Sequence, residues 1–232
     1  NQLVWKDRLL EALEKDLLQL VFQPIVAVAG GRVSHYEVLV RMRERDGTLI
    51  SPGKFIPAAE QFGLVQRLDQ RIVSKAVRCL ADLPRELDSI GLSINLSGLS
   101  VGSAEMYQCI EREVREAGVE PARITFEITE TAACEQLDSA IAFIQRIRQL
   151  GCNVSLDDFG VGFSSFSYLK HLRADILKID GSFIRDIHNN NADQLFVKAL
   201  VDVARGMGMR TIAEFVENEQ VFDRVRSLGV DY

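Results

Sequence analysis

The sequence predicts an α/β domain built as a modified, TIM-like (β/α)8 barrel with an antiparallel first strand. Three observations carry this. Strand-like runs alternate with amphipathic helical runs from Leu64 onward, the pattern of parallel βα units. The strand-like runs number eight if Val230-Asp-Tyr232 opens the last one, and eight is the barrel number. Only Ala29-Gly30-Gly31 separates the first two runs, and three small residues cannot hold a crossover helix. At 232 residues, one such barrel accounts for the chain.

Each element follows in order. Leu10, Leu13 and Leu17 recur at helical spacing, so Asn1 to Leu20 reads as an amphipathic helix. Val21 to Val28 and Arg32 to Met42 form the hairpin. Val65, Leu68, Ile72, Ala76 and Leu80 mark a helix, and Gly91 to Ser97 a strand. Ser103 caps a helix carrying Met106, Ile110 and Val114, which stops at Gly118. Arg123 to Ile128 is a strand. The helix of Leu137, Ile141, Ile144 and Ile147 ends at Gly151, and Cys152 to Leu156 is a strand. Asp175 to Ile179 and Arg210 to Glu214 are strands flanking the helix of Phe196, Leu200, Val203 and Met207. A helix from Val221 to Leu228 ends at Gly229, and the final strand is barely begun at Tyr232. The last strand and its helix are therefore expected to be truncated. A doubly wound open sheet would want a Gly-rich first βα turn, and none is present. The expected domains are a linker helix over 1–20 and a barrel over 21–232.

Composition narrows the function. The chain is 47% hydrophobic and 26% charged, which excludes a disordered or collagen-like chain. Its net charge of −6 lacks the basic footprint of a nucleic-acid polymer binder. Cys79, Cys109, Cys134 and Cys152 make no CxxC unit, and His35, His171 and His188 add no zinc pattern. Scattered thiols suit a reducing compartment, so a cytoplasmic domain is expected. No apolar run reaches the length of a membrane span, and the opening stretch is wrong for a signal peptide.

Polar residues gather at the strand ends. Asn95, Glu127, Asp157, Asp158, Lys178 and Glu214 each end a strand, and in a β/α barrel those ends form one face. Side chains two apart share a face, so Ser93 with Asn95, Thr125 with Glu127, and Ser155 with Asp157 are matched polar pairs. Glu37, Leu39 and Arg41 share the interior parity of the second strand, while Val38 and Val40 face the helices. Taken singly, Asp158 is a turn or cap residue, Lys178 a snorkelling lysine, Asn95 a turn former and Glu217 a first-turn helix carboxylate. Convergence outweighs those readings. Carboxylates crowded at one mouth repel unless cations neutralise them, and oxygen ligands suit Mg²⁺ or Mn²⁺. Two such ions about 3.5–4 Å apart can clamp a phosphodiester and activate water. Arg41 is then placed as a phosphate ligand. Lys178 can orient the water, deprotonate it or stabilise charge, and the residues alone leave all three open. The Gly- and Ser-rich stretch Asp157 to Ser165 reads as a mobile loop over the mouth.

These residues bring a known family into view. Gln23-Pro-Ile25, Tyr36-Glu-Val-Leu-Val-Arg41, Ile94-Asn-Leu-Ser97, Glu127-Ile-Thr-Glu130, Asp157-Asp-Phe-Gly160, Leu177-Lys-Ile-Asp180 and Ala213-Glu-Phe-Val-Glu217 occur in order. The chain resembles the EAL domain, the bacterial cyclic di-GMP phosphodiesterase. The resemblance implies a modified barrel, hydrolysis of cyclic di-GMP to linear pGpG, and a homodimer. It implies that Glu37, Asn95, Glu127 and Asp157 ligate one metal, and that Asp157, Asp158 and Glu214 serve a second. Lys178 matches the catalytic lysine, beside Glu37, Asp157 and Asp158. Glu130 matches the glutamate that steadies the loop, and Gln23, Leu39 and Arg41 match substrate contacts. Ca²⁺ is expected to support binding but hydrolysis only poorly, and so to inhibit.

Three departures stand out. The signature reads Glu-Val-Leu, with Val38 turned to the helices. Val161 and Phe163 replace the usual Thr and Tyr, which removes two hydroxyls. The family's Gln-Gly pair, whose glutamine lies at the active site, would fall beyond Tyr232. Asn1 to Leu20 is expected to be the tail of an upstream sensor or GGDEF domain in a larger protein. A catalytically silent cyclic di-GMP receptor is the competing reading, and a nucleotide-blind interaction scaffold a third. Silent members usually lose several acidic ligands, and this chain keeps every one that can be checked.

Overall fold

Gly30 and Gly31 both take positive φ, at 93° and 66°, and the tight reversal they allow sets the first two strands side by side. In this computed structural model, residues 2–44, 46–162 and 167–232 are described, with side chains from Val4 onward. Strand β1 (Leu18–Val26) pairs antiparallel with β2 (Val33–Arg43), from Leu18 opposite Met42 to Ile25 opposite His35. The expected hairpin is thus present. A two-residue strand β3 (Leu49–Ile50), which sequence periodicity did not reveal, adds to the far end of β2.

From β2 the sheet is parallel and in chain order: β4 (Gly91–Asn95), β5 (Ile124–Thr129), β6 (Asn153–Phe159), β7 (Ile176–Ile179) and β8 (Arg210–Ala213). It curls as a barrel does. The stretch from Val230 to Tyr232 sits in the seam. Tyr232 N–H donates to Thr211 O at 3.0 Å, Ala213 N–H to Tyr232 O at 2.9 Å, and Val28 N–H to Asp231 O at 2.9 Å. These three bonds tie β8 towards the end of β1, as the expected last strand would.

The helices cover the outside of the sheet. They are α1 (Gln2–Glu14), α2 (Ile56–Gln61), α3 (Val65–Ala81), α4 (Ala104–Ala117), α5 (Glu130–Glu135), α6 (Leu137–Gln149), α7 (Leu169–Leu172), α8 (Asn191–Gly206) and α9 (Glu219–Leu228). Caps fall where sequence chemistry puts them. Ser103 accepts from Met106 N–H, while Gly118 and Gly229 close their helices at positive φ. Ile94, Phe126, Ile128, Val154 and Leu156 of the strands share one buried core with Leu68, Met106, Ile110, Ile144 and Leu200 of the helices. No helix among the described residues is long and apolar enough to cross a membrane.

The N-terminal helix differs from expectation. It ends at Glu14 rather than Leu20; Asp16 turns at φ 55°, and Leu18 already pairs with Met42. Strand pairing with β2 overrides the helical spacing that includes Leu17. Nor does α1 stand off as a linker: Leu9 and Ala12 are fully buried in the barrel's own core.

Inside the barrel there are two levels. Ile25, Ile176 and Ile212 form a small apolar floor with Tyr232 against it. Buried His35 meets the Tyr232 ring edge-on at 5.9 Å. Two residues further along β2 and β7, on the same faces, come Glu37 and Lys178.

Candidate active site

Lys178 is the centre of the polar level. It is only 1% exposed, which rules out a snorkelling lysine. Its ammonium lies 2.8 Å from Glu127 Oε2, 3.0 Å from Asp157 Oδ1, 3.0 Å from Glu214 Oε1 and 3.5 Å from Glu37 Oε2. Each carboxylate comes from a different strand or strand end, as convergence on one mouth requires. Asn95, exposed at the rim, donates from Nδ2 to Glu37 Oε1 at 2.8 Å. Glu214 follows β8 immediately, and its N–H reaches Ile179 O at 3.4 Å.

Asp157 and Asp158 are neighbours, and in a regular strand they would face opposite ways. They do not end the strand, as expected, but lie within β6, where the pairing with β7 shifts register between Leu156 and Phe159. Asp158 adopts φ 54°, and its N–H donates to Asp157 Oδ1 at 2.9 Å. This bulge brings both carboxylates to the mouth. Carboxylate oxygens of Asp157, Asp158 and Glu214 lie within 4.8 Å of one another. Asp158 caps no helix.

Glu130 opens α5, where Thr129 accepts from Ala132 N–H. It is 1% exposed. Its carboxylate accepts from Gly160 N–H at 2.9 Å and from the Tyr168 hydroxyl, so it grips both sides of the stretch after the aspartate pair. Gly160, at φ 107°, lies so close to Phe183 that a Cβ there would come within 2.8 Å of the ring. Val161 is exposed; Phe163 and the serines Ser164 and Ser165 lie outside the described residues.

The site is charge-unbalanced: five carboxylates face one ammonium. Burial, reinforced by Glu37 and Asp157, pushes the Glu127 carboxyl up against the pull of Lys178. Burial also raises Asp158, with Asp157 adding to it, and raises Glu214 against the pull of Lys178. Burial alone would lower Lys178, but Glu127, Asp157, Glu37 and Glu214 outweigh it and hold its ammonium well above the usual range. Glu127 Oε1, Ser93 Oγ and Ser155 Oγ are buried without a hydrogen-bond partner among the described residues. Hard oxygen donors, excess negative charge and an unpartnered carboxylate oxygen fit a divalent cation.

A cavity of about 720 Å³ opens beside the cluster, lined by Gln23, Glu37, Leu39, Lys178, Glu214 and Phe215 among others. It runs down the seam to Ile212 and Tyr232. Arg41 is not in its lining. It lies beyond the last β2–β4 pair, Val38 with Ile94, on the part of β2 that overhangs the mouth, and its guanidinium donates to Val40 O at 2.9 Å.

One assignment changes and one residue is added. Glu217 is not in a helix's first turn: Asn218 caps α9, Glu219 takes that place, and Glu217 lines the cavity. Phe215 was not singled out by sequence. It has φ 56°, and its ring lies between Gly181 and the Arg185 guanidinium, 4.0 Å away. An aromatic directly after a strand-end carboxylate was the available signal.

Comparison with known proteins gives a consistent result. The family model described as EAL domain matches residues 6–232. The chain is 37% identical over 229 residues to the cyclic di-GMP phosphodiesterase PdeB of Shewanella oneidensis, covering 98% of this chain and 27% of that protein. It is 35% identical over 232 residues to the cyclic di-GMP phosphodiesterase PdeF of Escherichia coli, covering 100% and 31%. A third relative is the bifunctional diguanylate cyclase/cyclic di-GMP phosphodiesterase MucR of Pseudomonas aeruginosa, at 32% identity over 94% of this chain and 32% of that protein. The solved PaMucR phosphodiesterase complex with c-di-GMP superimposes with a TM-score of 0.90 at 31% identity, covering 98% of this chain and 92% of that one. The chain thus spans about a third or less of the length of these curated relatives.

Proposed function

The chain belongs to the EAL domain family, and from that membership we propose that it hydrolyses cyclic di-GMP to linear pGpG with Mg²⁺ or Mn²⁺. The observation that carries this reading is the convergence of Glu37, Glu127, Asp157 and Glu214 on Lys178 beside the cavity. Glu37, Asn95, Glu127 and Asp157 would hold one ion, and Asp157, Asp158 and Glu214 a second. When bound, the ions supply positive charge against the phosphate oxygens and acidify the attacking water.

The chain's own residues do the rest. Lys178, kept protonated, turns its ammonium from the carboxylates it now clasps toward the negative charge that builds on the phosphate. Asn95 holds Glu37 in place through its amide. Glu130 fixes Gly160 and so the backbone that presents Asp157 and Asp158. Gln23 and Leu39, on the cavity wall, contact the dinucleotide, and Arg41 reaches a phosphate from the overhanging end of β2. Ca²⁺ would bind but support hydrolysis poorly. We place the domain in the cytoplasm as a homodimer, governed by an upstream sensor or GGDEF domain, as the bifunctional name of MucR suggests.

The test is product analysis on the full-length protein. With cyclic di-GMP and Mg²⁺ or Mn²⁺ it should yield pGpG, and EDTA should abolish it. Glu37→Ala should lose turnover by about 10²-fold or more, as removal of a ligand and its partners would. No pGpG with either ion overturns the reading, and full activity in Glu37→Ala overturns the role given to that residue.

A further inference from the structure

Asp69 sits where a carboxylate should be expensive. It belongs to the inward face of α3, with Val65, Leu68, Ile72, Val73 and Ala76, and is only 4% exposed. A charge in such a setting needs several good donors. Asp69 has three, all to Oδ2: Ser97 N–H at 2.9 Å, Ser97 Oγ at 2.7 Å and Ser100 Oγ at 2.6 Å. Burial raises the Asp69 carboxyl, and the hydrogen bonds from Ser100 and Ser97 pull it back down. Every one of them comes from the stretch that leaves Asn95.

That stretch is held from both sides. On the helix side, Gln66 Nε2, one turn before Asp69, donates to Leu99 O at 2.7 Å. On the other, Leu96 N–H donates to Glu127 O at 2.9 Å, and Gly98 packs so closely that a Cβ would lie 3.0 Å from Ala132 Cβ. The Asn95 side chain itself is exposed, with Glu37 as its hydrogen-bond partner. Its direction is therefore set by the backbone on which it stands, and Asp69 is the group that fixes that backbone two residues on.

We propose that Asp69 is a positioning residue: through Ser97 and Ser100 it fixes the Asn95 backbone, so that the Asn95 amide oxygen and Glu37 are presented together to the cation. This rests on the functional reading above, and Asp69 touches neither cation nor substrate. A leucine of similar bulk would pack on the helix face, but it would leave the Ser97 and Ser100 donors without their acceptor. What a leucine cannot do is gather three donors from the loop.

The experiment is a calorimetric Mn²⁺ titration of the metal-free chain, with melting temperatures in EDTA. Asp69→Ala is expected to weaken Mn²⁺ uptake about tenfold, as loss of a group that orients a ligand does, and Asp69→Asn to restore part of it. Half-saturating metal in the hydrolysis assay should rise in step, with kcat at saturating metal nearly unchanged. Ser100→Ala, a milder change, should shift uptake in the same direction if Asp69→Ala does not fold. Wild-type uptake in Asp69→Ala or Asp69→Asn together with Ser100→Ala, whatever the melting temperatures, overturns the positioning role alone. A wild-type chain that takes up no Mn²⁺ overturns the functional reading and this inference with it.

Discussion

Lys178 shows how one side chain can be both structural and chemical. Its ammonium compensates a buried cluster of carboxylates, so its removal leaves their charge unanswered. Lys178→Met is expected to destabilise the metal-free chain by about 3–5 kcal/mol, the cost of breaking a buried ion pair. Added Mn²⁺ should recover much of that loss, and melting curves with and without the ion will check it. His35 gives a second outcome. Burial first, then the charges of Arg210 and Lys178, lower it from 6.5 to about 4. Between those values the unfolded chain holds a proton that the folded chain refuses. The His35 contribution to stability is then complete above pH 6.5 and is lost on acidification, by about 3 kcal/mol at most. Glu127, Asp158 and Glu214, being raised, act in the opposite sense over this range, so the His35 slope is the difference between wild type and His35→Leu in denaturant titrations in EDTA from pH 7 to 4. At this scale the sequence reads well where parity holds: Glu37 and Glu127 were legible from alternation, and Lys178 from its place at a strand end. Asp158 was legible as a mouth residue from its place near the strand end, but the bulge that turns it inward was not, because that depends on pairing with β7. Asp69 was readable in principle, as a charge inside the apolar stripe of α3.

Elements were legible where their boundary chemistry is local. Ser103, Gly118, Gly151 and Gly229 mark helix ends through capping that needs no distant partner. The end of α1 was not legible, because Leu17 continues the helical spacing while the hairpin claims the chain from Leu18. The same fact changes what α1 is. With Leu9 fully buried among barrel residues, α1 is part of the folded body. Leu9→Ala should therefore cost about 2–5 kcal/mol in a urea titration, as core truncations do. A helix that only linked domains would show almost no change. Strand β3 and helices α2 and α5 escaped notice because two to six residues carry too little periodicity.

Over the whole molecule, the net charge of −6 is why no polymer partner is expected, and it says nothing about a small nucleotide. The sheet gathers much of the functional acidity at one end of the strands, above an apolar floor of Ile25, Ile176 and Ile212. An anionic dinucleotide can approach that mouth only if cations reverse its field. The central claim is thus that the acidic mouth is a two-cation site facing a phosphodiester. Its most direct measurement is an anomalous-scattering map of crystals grown with Mn²⁺ and cyclic di-GMP. Two peaks about 3.5–4 Å apart are expected, one at Glu37, Asn95, Glu127 and Asp157 and the other at Asp157, Asp158 and Glu214, with a phosphate across both. A map with nucleotide bound but no manganese within reach of these carboxylates would contradict it.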